Sequence, residues 1–219
     1  GFNVAPTKGR VTGTQRVKSY TGSPAQPQYV VESTMTYDDY GRVLTAADAL
    51  GRVTTTAYTP ASGGLVTSTT ATSPDPDGSG PLTAHVTTTE VTPAWGSPSK
   101  VTDPNGKVTS ASFDALGRVT GVWLPGRTQG TYTASSTYEY TVSSTGRNAV
   151  STSSLTAAEA YLTKVDLLDG LLRPTQSQSP PAARDEPGRI ITDPFSDSRG
   201  LVARTNGAWF TTGEPSVPP

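Results

Sequence analysis

Apolar and polar residues alternate singly along this chain, in short runs. In RVTTTAY, Val53, Thr55 and Ala57 fall on one side of an extended strand and Arg52, Thr54, Thr56 and Tyr58 on the other. STMTY sets Met35 and Tyr37 against Thr34 and Thr36, and TAHVTTTEV reads the same way. The one run with a helical period is SLTAAEAYL, Ser154 to Leu162, where a short helix is expected. The predicted class is all-β, an array of β-hairpins.

The punctuation between runs is itself a pattern. Asp-x-x-Gly occurs at Asp38–Gly41, Asp48–Gly51, Asp75–Gly78, Asp103–Gly106, Asp114–Gly117, Asp185–Gly188 and Asp197–Gly200. Random placement of the same residues would give about one, so internal repetition is the explanation to test. In a type I turn the first-position Asp accepts hydrogen bonds from backbone N–H groups that follow it, and Gly takes the left-handed conformation without a Cβ clash. Such a turn closes a three-residue hairpin loop with a bulge. A basic residue follows in several copies: Arg42, Arg52, Lys107, Arg118 and Arg189. An exposed pair with the turn Asp adds at most about 1 kcal/mol, so these side chains are expected mainly to keep strand ends solvated.

Composition supports strands and turns. Only 33% of residues are apolar and 16% charged, against 37 Thr, 22 Gly and 19 Pro. Such a chain could be disordered, but Val, Tyr and Leu recur at strand spacing between the turns. The net charge of −1, with no basic run, does not suit a nucleic acid. No apolar stretch approaches the roughly 20 residues that span a bilayer, so no membrane insertion is expected. The chain has no cysteine, and His85 is its only histidine, so neither a Ser-His-Asp triad on a spare His nor a thiol site can be assembled. Asp75 and Asp77 in PDPDGSG suit oxygen coordination, yet the full calcium-loop pattern is absent and a solvated hairpin tip is the simpler reading. The remaining aspartates sit in turns where the backbone uses their oxygens, so no catalytic residue, cofactor or metal is expected. Trp95, Trp123 and Trp209 each flank a turn, where they either stack on sugar rings or fill space within the sheet. The chain opens on Gly1-Phe2-Asn3 without an initiator Met and ends in EPSVPP, which reads as a piece of something longer.

TYDDYGRVLTAADALGRVTTTAY, Thr36 to Tyr58, resembles the YD repeat, also called the Rhs repeat, with its Tyr-Asp-x-x-Gly-Arg pattern. VTDPNGKVTSASFDALGRVTGVWLPG, Val101 to Gly126, is a second unit, with Phe113 at the Tyr position. LLDGLLRPTQ keeps Asp169 and Arg173 but has Leu172 at the Gly position; PFSDSRGLVARTNG keeps Asp197 and Gly200 but has Ser196 and Leu201 at the Tyr and Arg positions. A degraded unit between the first two has its turn expanded into a Pro-rich loop, Ser73 to Pro81. The resemblance runs from about Thr34 to Gly207 and divides the array into leading strands 1–33, hairpins 34–126 and degenerate hairpins 127–219, one continuous array rather than independent domains. It implies an open, solenoid-like strip of a spiral β-shell, such as those of Rhs toxins, tripartite insecticidal toxins and teneurins. Its partners would be neighbouring repeats of a longer secreted or cell-surface chain and an enclosed toxic C-terminal domain. Adhesion or glycan binding is the alternative. The family's self-cleaving core is not found: Asp103-Pro104-Asn105-Gly106 resembles part of it but runs into an ordinary repeat.

Overall fold

The computed structural model describes residues 9–78, 82–181 and 188–218, which fall into two compact units, Gly1–Val108 and Thr109–Pro219. The first is an antiparallel meander of β1 (Gly13–Thr21), β2 (Gln26–Tyr37), β3 (Val43–Asp48), β4 (Val53–Thr59), β5 (Ser68–Thr72), β6 (Val86–Val91) and β7 (Pro98–Thr102), each paired with the next in chain order. β8 (Val108–Phe113) opens at the last residue of that unit. The second unit continues with β9 (Val119–Trp123), β10 (Ser136–Thr141), β11 (Asn148–Leu155), β12 (Tyr161–Leu168), β13 (Pro174–Ser179) and β14 (Gly188–Thr192), again in chain order. β15 (Pro194–Ser196) and β16 (Val202–Thr205) form a separate hairpin, and β17 (Trp209–Thr212) returns to pair with β14. The fold is all-β, and the sheets are open: β1 and β17 are terminal strands.

Short runs and frequent turns leave little to bury. Among the described residues of the first unit none is fully buried. In β4, Thr54, Thr56 and Tyr58 are the half-covered side and Val53, Thr55 and Ala57 the exposed one, so the apolar residues do not mark the covered face. Hydroxyl pairs supply part of the cohesion: Thr36 with Thr45 at 2.6 Å, Ser112 with Thr120 at 2.9 Å and Ser153 with Thr163 at 2.8 Å. The buried cluster lies in the second unit, where Ala149, Val165 and Leu167 pack together with Val217 against them.

The helix expected at Ser154–Leu162 is replaced by the end of β11, a hairpin turn and the start of β12. Thr156 N–H donates to the Ala160 carbonyl at 2.8 Å, and Glu159 N–H returns to the Thr156 carbonyl at 3.0 Å. The segment is too short to repay helix nucleation, and the flanking strands align residue by residue, Ser154 on Leu162 and Leu155 on Tyr161.

Candidate functional site

The turns are the most regular feature of the molecule. At Asp38 the backbone closes with Asp38 N–H to Arg42 O at 3.0 Å and Gly41 N–H to Asp38 O at 3.1 Å. Asp38 Oδ1 accepts the N–H groups of Tyr40 and Arg42, both at 2.9 Å, while Oδ2 takes the Arg42 Nε–H. The same set of bonds recurs at Asp48 with Arg52, at Asp114 with Arg118 and at Asp169 with Arg173. Gly41, Gly51, Gly106, Gly117 and Gly200 all hold left-handed φ angles, from +71° to +90°. Asp103 makes the backbone part of the set, with Asn105 and Lys107 N–H on Oδ1 at 2.8 Å, and no ion pair from Lys107 accompanies it among the described residues. At Asp197 the guanidinium comes from Arg199 rather than from the Leu201 position, with Nη2 to Oδ2 at 2.8 Å.

Two further turns have this geometry without the glycine. Leu172 stands at φ +61° behind Asp169, and Glu159 at φ +57° behind Thr156. Bidentate pairing with Arg127, at 2.9 and 3.1 Å, holds Glu159.

Arginine does more than solvate strand ends at several of these turns. The Arg42 guanidinium lies 4.5 Å from the Tyr58 ring centre, one hairpin further on, and 5.0 Å from Tyr40. The Tyr58 hydroxyl donates to the carbonyl of Val43, the residue after that arginine, at 3.1 Å. Arg118 and Tyr140 repeat both contacts, 4.4 Å to the ring and 3.0 Å from the hydroxyl to Val119 O. Gly9-Arg10-Val11 supplies a third copy: Arg10 is 5.6 Å from the Tyr37 ring, and the Tyr37 hydroxyl reaches Val11 O at 2.7 Å. Each tyrosine thus ties a turn to the following hairpin. The expectation of a merely solvated arginine fails at Arg42, whose side chain is 19% exposed, and fits Arg52, at 63%. The difference is the ring that covers one and not the other.

The turn aspartates titrate below the ordinary carboxylate range. At Asp38 burial opposes this, but the side-chain and backbone bonds from Arg42 outweigh it. At Asp48 the Arg52 side chain leads, at Asp114 and Asp169 the backbone N–H of Arg118 and Arg173, and at Asp197 the Arg199 side chain.

Elsewhere the sequence reading needs correction. Gly188 does not close a hairpin turn: it opens β14 opposite Thr212, has no left-handed φ, and lies against the Phe210 ring. Asp185 lies outside the described residues. Arg189 points its Nη1 at the carbonyl of Glu214, 2.9 Å away. Asp75 and Gly78 belong to the loop between β5 and β6, where Asp75 lines a cavity of about 540 Å³ with Glu32, Asp48 and Arg52. Among the described residues no group of three or more His, Cys, Asp or Glu could hold a metal ion, and no helix is long and apolar enough to cross a membrane. Trp123 is the space-filling kind: its indole N–H donates to Tyr132 O at 2.9 Å, and a Cβ at Gly121 would meet its ring at 2.9 Å. Trp95 and Trp209 are about half exposed, at 49% and 46%.

This is an open meander of antiparallel hairpins with recurring Asp-locked turns, the architecture of a YD-repeat segment. No family model matches the chain, and no curated protein matches it. Among solved structures it is similar to a chain of the Photorhabdus luminescens Tc holotoxin pore with a mutated TccC3, at TM-score 0.55 and 14% identity over 91% of this chain. It also aligns with the TcdB2-TccC3-Cdc42 structure, at TM-score 0.39 and 15% identity over 87% of this chain and 12% of that one, and with TcdB2-TccC3-TEV, at 0.20 and 13% over 86% and 16%. The first likeness establishes the shared fold; the chain spans 11% of that holotoxin chain's length.

Proposed function

We propose that this chain is a wall segment of the β-shell of a larger, secreted YD-repeat protein, a scaffold that encloses or displays another domain and performs no catalysis itself. The observation that carries the reading is the arginine–tyrosine tie between successive hairpins, present at Arg10, Arg42 and Arg118. A sheet with so little core cannot rely on burial to hold its strands in order, and a tie repeated from hairpin to hairpin lets the strip be extended indefinitely. The fold shared with the holotoxin chain supports the same reading. The partners are then neighbouring repeats and an enclosed domain, and the location is outside the cell. Imaging the full-length parent protein by cryo-electron microscopy tests this. A hollow body with residues 9–218 in its wall is the expected result, and a closed barrel or a solid globule containing them would overturn it.

A further inference from the structure

After β17 the chain turns at Gly213, φ +85°, and residues 214–217 lie against the sheet of the second unit. Three contacts hold this strap. Arg189 Nη1 donates to the Glu214 carbonyl at 2.9 Å, the Ser216 N–H donates to Gln178 Oε1 at 2.9 Å, and Val217 packs on Ala149, Val165 and Leu167. Gln178 is 1% exposed, and its amide is fixed from behind: Nε2 donates to Gln176 Oε1 at 2.9 Å, and Gln176 Nε2 donates to Asp193 Oδ1 at 2.9 Å. A buried acceptor so oriented is costly to leave unpaired, so this face is built to receive a backbone N–H. Beside Val217 the depression continues as a cavity of about 530 Å³ lined by Thr137, Glu139, Ser151, Ser153 and Thr163. Glu139 is exposed and has no ion-pair partner among the described residues.

We propose that this face is a docking groove for a short extended segment of a partner polypeptide. The segment carries a small apolar residue between prolines, as the strap does, and a basic residue after them to meet Glu139. Residues 214–217 are a resident, displaceable occupant of half of the groove. Gln178 reads the backbone N–H, Arg189 the carbonyl, the Ala149–Val165–Leu167 patch the apolar side chain, and Glu139 supplies the charge. The inference does not depend on the shell reading, since it uses only contacts within one unit.

The test uses the full chain with the strap loosened by Val217→Asp and a fluorescent peptide of strap residues 213–218 extended by Lys. Anisotropy should show saturable binding, weakened about tenfold or more by adding Gln178→Ala. A Glu-ended peptide should bind about tenfold more weakly than the Lys-ended one, and Glu139→Gln should remove the difference. No binding, or binding indifferent to Gln178 and to the terminal charge, would overturn the proposal, as would a Val217→Asp chain that instead exchanges straps with a second copy. In the unaltered chain, Ser216 N–H should exchange with solvent about a hundredfold faster than the β12 amides, because the strap opens without unfolding the sheet. Equal rates would show the strap to be a fixed part of the fold and sink the idea independently of the variant.

Discussion

Replacing Arg42 by lysine isolates what the guanidinium does, because the charge is kept and the planar fork is lost. Arg42 makes four contacts: Nε to Asp38, Nη2 to the Ala61 carbonyl, and faces on Tyr58 and Tyr40. A lysine ammonium can reach Asp38, but it cannot lie flat between two rings while donating to Ala61. A partly desolvated cation–ring contact is worth about 1–2 kcal/mol, and a lost hydrogen bond from a charged group about 1.5–3 kcal/mol. Allowing for what lysine retains, Arg42→Lys should cost about 2–3 kcal/mol, or about 5–10 °C of Tm in a chain of this size. Arg52 has the same turn and the same Asp, but its side chain is 63% exposed and lies on no ring. Arg52→Lys should therefore cost no more than about 0.5 kcal/mol. Arg118, 35% exposed and on one ring, should fall between them. Calorimetry on the three variants decides the matter. Equal shifts for Arg42→Lys and Arg52→Lys would refute the claim that the ring, rather than the Asp–Arg pair, makes the turn structural.

Leu172→Gly should stabilise the protein by about 0.5–1 kcal/mol, because Leu172 holds φ +61° and is 68% exposed, so little packing is lost; urea melts would show it. Glu159→Gly relieves the same strain at φ +57° but removes the Arg127 pair, and the two should nearly cancel in the same melts. Gly51→Ala should cost about 1 kcal/mol of backbone strain in open space, while Gly41→Ala should cost more by thermal melt, since its Cβ would displace the Arg10 side chain that stacks on Tyr37. The turn carboxylates are depressed in the folded state, so their stabilisation is complete above the unfolded value near 3.8 and is lost as the pH falls through the lower folded values. Stability should thus drop below about pH 4, and Asp114→Asn should make that acid limb shallower in a pH series of melts.

The sequence showed the turns because their chemistry is local: an Asp and a Gly three residues apart suffice, and the strands follow by alternation. Leu172 and Glu159 escaped because neither residue type advertises a left-handed φ, although Arg173 after Leu172 preserved the rest of the pattern. Gly188 misled for the converse reason, since a glycine admitted by the crowding of Phe210 has the same letter as one that closes a turn. The third tie was visible in Gly9-Arg10-Val11, but no Asp stands three residues before Gly9 to flag it. The strap was illegible: EPSVPP reads as a polar tail, and only the placement of Gln178 and the Val165–Leu167 patch beneath it shows what it covers.

The same Asp-x-x-Gly-Arg letters therefore produce two structures, and what separates them lies outside the motif. The turns at Asp38 and Asp48 cap opposite ends of β3. Asp38 meets a tyrosine on β4 whose hydroxyl also reaches the chain just past the arginine; Asp48 meets none. A strip of this kind needs its hairpins fixed to one another, and one ring per hairpin at one end is enough to do so. The other end is left free to vary in length, and the loop between β5 and β6, which leaves that free end of the first unit, is where the insertion from Ser73 onward has been accommodated. Moving the tie to that end, by placing a tyrosine within reach of Arg52, should convert an exposed turn into a covered one and raise the cost of Arg52→Lys from about 0.5 kcal/mol or less towards that of Arg118→Lys. If the engineered ring left Arg52 as dispensable as before, the ring would be a consequence of the ordered turn and not its cause.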